Sequence, residues 1–337
     1  MEAGALSASR ELPLAGRLRQ AADRHPARVA LGVLGLIVAA LVVTKGLTTV
    51  ADHMLDGLGL GAVYALGAVG LTLVYGILKL VNFAHGDFLT FGLYMAYIVS
   101  VTWELPLAVG IFWAMLSTAL LGIVLEKVMW GPMRARGAGL LQFVLMSIGL
   151  ALVIRYAIQY KAGTEIRTLD VNQTAVVEFL GLDIGRTQLI VLVIGVAVLV
   201  GIGLMLRYTL LGKRMRALSD NLELAEASGI DTSRVVLYTW VFAAGLAGLA
   251  GVLIGGFEGS FDPEIGFTLL LPIFAAVVLG GIGDAFGALA GAMLLGVMTE
   301  LSTLVIDSRW KILIGFVILI VALIIRPQGI FGKAKAI

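Results

Sequence analysis

Uninterrupted apolar runs recur along the whole chain, and several approach or exceed the ~18 residues that read as a membrane span. LIVLVIGVAVLVGIGLML at 189–206 and ILIGFVILIVALII at 312–325 carry no charge at all. Hydrocarbon offers no water to unpaired backbone N–H and C=O groups, so only helices and closed barrels cross it. These runs are continuous and lack the in-and-out alternation over ~10 residues that marks a barrel strand. The chain therefore reads as all-α, a polytopic membrane helical bundle in the cell membrane. Composition agrees. Only 14% of residues are charged, against roughly 25% in soluble domains, and mean hydropathy is +1.02. The 43 glycines predict helices that approach one another closely.

The expected spans are 29–47, 57–78, 86–102, 105–127, 140–160, 188–206, 236–256, 268–282, 285–306 and 310–325, about ten within a range of 8–10. Some are shorter than the ~20 residues of a clean crossing, so half-helices are among the options. Lys and Arg orient the bundle, because cytosolic loops carry their excess. With both termini cytosolic and the spans alternating, 17 of the 24 Lys/Arg fall in 1–28, 79–85, 127–139, 207–235 and 326–337. The remainder are Lys45, Arg155, Lys161, Arg167, Arg186, Arg309 and Lys311. The organisation is then a cytosolic tail at 1–28, a transmembrane body at 29–326 and a cytosolic tail at 327–337. The long polar N-terminal stretch, without a small-x-small cleavage site after the apolar run, favours a retained first span over a signal peptide. Two glycine-rich spans, 57–76 and 280–300, resemble each other loosely, as internal repeats would.

One polar break stands out. NFAHGD at 82–87 separates two apolar spans, with Lys79 just before it. Asn82, His85 and Asp87 ionise or hydrogen-bond strongly, and intramembrane polar groups mark pathways. Two readings fit: a cytosolic turn, or a joint on a substrate path. The topology puts the break at the cytosolic end of its spans, as an inner-gate or exit-side joint. Tyr64 and Tyr75 lie eleven residues apart on one helical face, suited to packing, to interfacial anchoring or to offering hydroxyls.

The longest cytosolic segment, 207–235, holds an amphipathic pattern. Met215, Leu218, Leu222 and Ala225 share a face. Ser219 suits an N-cap, Glu223 and Glu226 suit the early turns, and Gly229 suits the end. This predicts a helix over 217–228 that docks a protein or lies on lipid. The acids on its polar face favour a protein partner, because anionic lipid attracts Lys and Arg.

GAVYALGAVGLTLVYGILKLVNFAHGDFLTFGLYMAY at 61–97 resembles the opening signature of the LivH-type permeases of branched-chain amino acid ABC transporters. GKRMRALSDNLELAEASGID at 212–231, VVLGGIGDAFGALAGAMLLGV at 277–297 and RPQGIFG at 326–332 resemble that family's coupling loop, late helix pair and C-terminal end. The resemblance implies a permease domain over 29–326 that moves branched-chain amino acids. Related permeases carry urea, short amides or other small polar solutes. It further implies a second, LivM-like permease, two ATPase subunits and an extracytoplasmic solute-binding protein. Asn82, His85, Asp87, Tyr64 and Tyr75 become candidates for the substrate pathway or gate. Leu218, Leu222, Glu223, Ala225, Glu226 and Gly229 become candidates for the ATPase-coupling helix.

The residues also narrow the alternatives. No GxxxxGK[ST] phosphate loop occurs, so ATP is expected to be used by partner subunits and this chain to need no cofactor of its own. An enzyme is disfavoured: His25, His53 and His85 are dispersed, cysteine is absent and there is no GxSxG elbow. A net charge of +2 gives no case for nucleic acid.

Overall fold

The computed structural model describes residues 26–179, 182–325 and 329–330; most of the predicted N-terminal tail and most of the C-terminal tail lie outside them. The helices in chain order begin with α1 (Pro26–Lys45), α2 (Leu47–Leu78) and α3 (His85–Tyr97), which a π-helical turn extends over Ile98–Thr102. Next come α4 (Leu107–Leu125), a second π-helical turn (Glu126–Trp130), α5 (Gly131–Ala135) and α6 (Leu140–Ala162). A short antiparallel hairpin, β1 (Val176–Phe179) and β2 (Leu182–Gly185), interrupts the following loop. Then follow α7 (Arg186–Tyr208), α8 (Leu210–Asp220), α9 (Leu222–Ala227) and α10 (Thr232–Glu258). The last three are α11 (Ile265–Gly280), α12 (Ala285–Ser302) and α13 (Lys311–Ile325).

Six helical stretches among the described residues are long and apolar enough to cross a membrane: 47–78, 107–135, 140–162, 186–208, 232–258 and 285–302. The other four expected spans fall on α1, α3, α11 and α13. The centre of the bundle is α2, buried along most of its 32 residues. At 1.5 Å per residue it is ~48 Å long, more than the ~30 Å hydrocarbon core. The two glycine-rich stretches at 57–76 and 280–300 pack on each other, α12 running antiparallel to α2. A Cβ added at Gly57 would sit 2.7 Å from the Val297 Cα, and one at Gly61 3.0 Å from the Met293 Cα. Only glycine permits this approach, and close backbone packing is what holds helices together where lipid removes the hydrophobic drive. By contrast, Leu120, Val153, Val200 and Ile324 on α4, α6, α7 and α13 are exposed, as a lipid-facing shell requires.

Local caps set the helix starts at the α8–α9 end. Thr209, Asn221, Asp231 and Asp284 each accept a backbone N–H of the following first turn. At the same end Glu126 is buried but paired. It accepts from Trp240 Nε1 at 2.7 Å and from Arg134 Nη1 at 3.2 Å, while Trp130 stacks on Trp240 at 6.1 Å.

The amphipathic segment differs from expectation. It forms two helices, α8 and α9, rather than one over 217–228. Asn221 takes an extended backbone (φ −155°, ψ 109°) and caps α9 by accepting from the Leu224 N–H at 3.0 Å. Ser219 is therefore in the last turn of α8 and caps nothing. The break rotates the register. Met215, Leu218 and Ala225 are buried, but Leu222 is 45% exposed. Gly229 follows α9 with φ +81°.

Candidate functional site: a polar helix break inside the bundle

Lys79 ends α2 in the left-handed conformation (φ 52°, ψ 27°), its N–H bonded to the Tyr75 carbonyl. The chain then runs back without helix to residue 84. Asn82 organises the restart: its Oδ1 accepts from the Ala84 N–H at 3.1 Å and its carbonyl from the His85 N–H at 3.2 Å. Its Nδ2 is buried and has no hydrogen-bond partner among the described residues.

The expected position of the break needs correction. Asn82, His85 and Asp87 are all buried. His85 Nε2 donates to the Gly67 carbonyl at 2.9 Å. Gly67 lies eleven residues before the end of α2, so α3 begins ~16 Å up the bundle from that end. The break is thus within the bundle, not at its surface. A sequence count of spans carries no depth, and the returning strand of backbone was counted as a turn.

Asp87 occupies the first turn of α3, where helix N–H groups favour an acid. Arg155 of α6 grips it as a fork: Nε to Oδ1 at 3.0 Å and Nη2 to Oδ2 at 3.2 Å. The guanidinium also lies 4.3 Å from the Phe267 ring centroid of α11. The first turns of α3 and α11 touch through Gly86 and Gly266, where a Cβ on Gly86 would overlap the Gly266 carbonyl. The Gly266 N–H donates to Thr90 Oγ1 at 3.1 Å. Three helices, α3, α6 and α11, are therefore fastened at one buried charged point. Arg155, Thr90, Gly266 and Phe267 were not among the sequence candidates. A lone arginine inside an apolar helix was the signal for Arg155, since such a charge requires a buried partner.

The two tyrosines do not join the break. Tyr64 lines a small cavity with Thr299 and Lys311. Tyr75 lines a different one, about 690 Å³, with Lys79, Arg216, Ser219 and Asp284. Lys79 also ties the break to α8, its Nζ donating to the carbonyls of Gly76 at 2.7 Å and Ser219 at 3.3 Å. Beyond that tie, Leu222, Glu223, Leu224 and Glu226 form an exposed face on α9, while Leu218 and Ala225 hold the segment to the bundle.

Comparison with known proteins gives the frame for this geometry. Residues 53–323 match the family described as branched-chain amino acid transport system/permease component. The chain is 32% identical to the high-affinity branched-chain amino acid transport system permease protein LivH of Salmonella typhimurium, over 84% of this chain and 96% of that protein. It is 31% identical to BraD of Pseudomonas aeruginosa over the same shares. It is 25% identical to LivM of Escherichia coli, over 94% of this chain and 78% of that one. The helices, the enclosed polar break and a match along most of the length lead to one assignment: the chain belongs to the family of branched-chain amino acid transport permeases.

Proposed function

We propose that this chain is the membrane permease subunit of an ATP-binding-cassette importer of branched-chain amino acids. The observation that carries the reading is the likeness to LivH along 96% of that protein. The Lys/Arg distribution supports cytosolic termini, about ten crossings when the short helices are counted, and a cytosolic α8–α9. A second, LivM-like permease pairs with it; the likeness of this chain to LivM supports two related halves. Two ATPase subunits dock on the exposed face of α9 and use the ATP. An extracytoplasmic binding protein delivers the solute.

Closure of the ATPases displaces α9 and α8. The Lys79 contact to Ser219 passes that displacement to the 79–84 segment. The first turn of α3 moves with Asp87, Arg155 and α11 as one packed unit, because its charges separate only at high cost. Interfaces packed this tightly switch between discrete arrangements rather than deforming smoothly. Asn82 and His85 supply the polar groups of the moving joint.

The test is uptake by proteoliposomes holding the permease pair, the ATPases and the binding protein. ATP-dependent uptake of leucine, isoleucine and valine is expected. His85→Ala should lower uptake more than it lowers expression, and Asp87→Ala, which strands Arg155, should lower both. Uptake of urea or acetamide with no amino acid uptake would overturn the reading, and unaltered leucine uptake in both variants would remove the break from the mechanism.

A further inference from the structure

A second charged cluster lies at the end of the bundle opposite α8–α9. Glu300, in the last turns of α12, is ion-paired with Lys311 at the start of α13. The Glu300 side chain is 8% exposed and that of Lys311 33%. Asp56 of α2 and Glu258 of α10 are within electrostatic range of both partners. Three carboxylates thus surround the Lys311 ammonium, and Asp52 and His53 also lie beside Asp56. Tyr64 lies about two turns further along α2 and is 7% exposed. Its side chain leans toward the start of α2, as helical Cβ atoms do, and so toward the cluster. With Thr299 and Lys311 it lines a cavity of about 10 Å³, room for about one water.

We infer that Glu300, Lys311 and Tyr64 form a charge-exchange gate for zwitterionic α-amino acids. The substrate carboxylate takes Lys311 and the Tyr64 hydroxyl, and the substrate ammonium takes Glu300. This rests on the reading that the solute is an amino acid. Separating a buried ion pair strands two charges in low dielectric. A zwitterion supplies the opposite charge to each partner, so the pair parts without leaving either uncompensated. Urea or a neutral amide supplies neither charge, and an amine lacking a carboxylate supplies only one. Asp56 and Glu258 set the polarity, since the surplus of carboxylates receives the ammonium and the lone lysine receives the carboxylate. The closed gate needs no large cavity, because the ion pair occupies the place of the substrate's own charges. It is distinct from the Asp87–Arg155 fork, which is bidentate and fully internal.

The experiment uses the complete transporter in proteoliposomes with leucine as probe. Glu300→Gln with Lys311→Gln removes the pair without stranding a charge. The exchange Glu300→Lys with Lys311→Glu keeps the pair and reverses it. Both are expected to copurify with the ATPase subunits and to lose leucine uptake by about tenfold or more, the loss of a charge-assisted contact. Leucine uptake within about twofold of the parent in either double variant would overturn the gate and leave the permease reading intact. Tyr64→Phe serves where a double variant does not assemble. A several-fold rise in the leucine concentration for half-maximal uptake is expected, and no change would overturn the gate. A parent complex that moves urea and no α-amino acid would overturn the permease reading itself.

Discussion

Asp87→Asn changes one atom type at the buried fork and should be felt throughout the bundle. The two side chains are 0% and 11% exposed, so solvent does little to screen the pair. Removing one partner of such a pair costs about 3–5 kcal/mol, because the other charge stays buried. Two contacts soften the loss for Arg155. The Asn oxygen still accepts one hydrogen bond, and the Phe267 ring still faces the guanidinium at 4.3 Å, worth about 0.5–2 kcal/mol. The lower end, about 3 kcal/mol, is therefore expected, close to 10²-fold in the unfolding equilibrium. Arg155→Leu should cost somewhat less, because the first turn of α3 compensates the remaining carboxylate by about 0.3–2 kcal/mol. The double variant strands neither charge and should recover most of the loss, with a coupling energy near 2 kcal/mol or more. SDS titration of the purified protein in mixed micelles, followed by tryptophan fluorescence, measures all three. A coupling energy below about 0.5 kcal/mol would refute the claim that this pair fastens α3 to α6.

Two further outcomes test separate parts of the architecture. Gly86→Ala drives a methyl into the Gly266 carbonyl; backbone cannot yield as a side chain does, so destabilisation of at least the ~1–3 kcal/mol of ordinary overpacking is expected in the same titration. Glu223→Lys with Glu226→Lys reverses the charge of the exposed α9 face and should reduce copurification with the ATPase subunits at moderate salt, while undiminished copurification and coupling would assign docking to another surface.

The apolar runs make the fold class and most helices legible in the sequence, because hydrocarbon leaves the backbone few choices. Depth was not legible. The segment 86–102 has the composition of a crossing, yet α3 is a 13-residue helix that begins deep in the bundle. What decides this is the left-handed Lys79 and the glycine contacts of α11, neither of which alters hydropathy. Arg155 was visible as a charge but was counted only among the seven Lys/Arg outside the cytosolic segments. Its partner sits 68 residues away in sequence, and only the fold brings them together. The split at Asn221 was legible in principle, since Asn is a strong cap and Glu223 follows in the next turn. The buried periodicity of Met215, Leu218 and Ala225 concealed it, because those positions stay on one face despite the break. The strands Val176–Phe179 and Leu182–Gly185 fall between two expected spans, and at four residues each they leave little pattern to read.

The tie at Lys79 has a consequence for how such a subunit can drift over generations. Its Nζ donates to two main-chain carbonyls, those of Gly76 and Ser219, and lies 6.0 Å from the Tyr75 ring centroid. No side-chain atom of residue 219 takes part in that bond, so the bond itself needs no matching change between 79 and 219. Relatives should therefore hold a cation at the end of this long helix, while position 219 answers to its packing against Gly76, and paired-substitution statistics would see no link between 79 and 219.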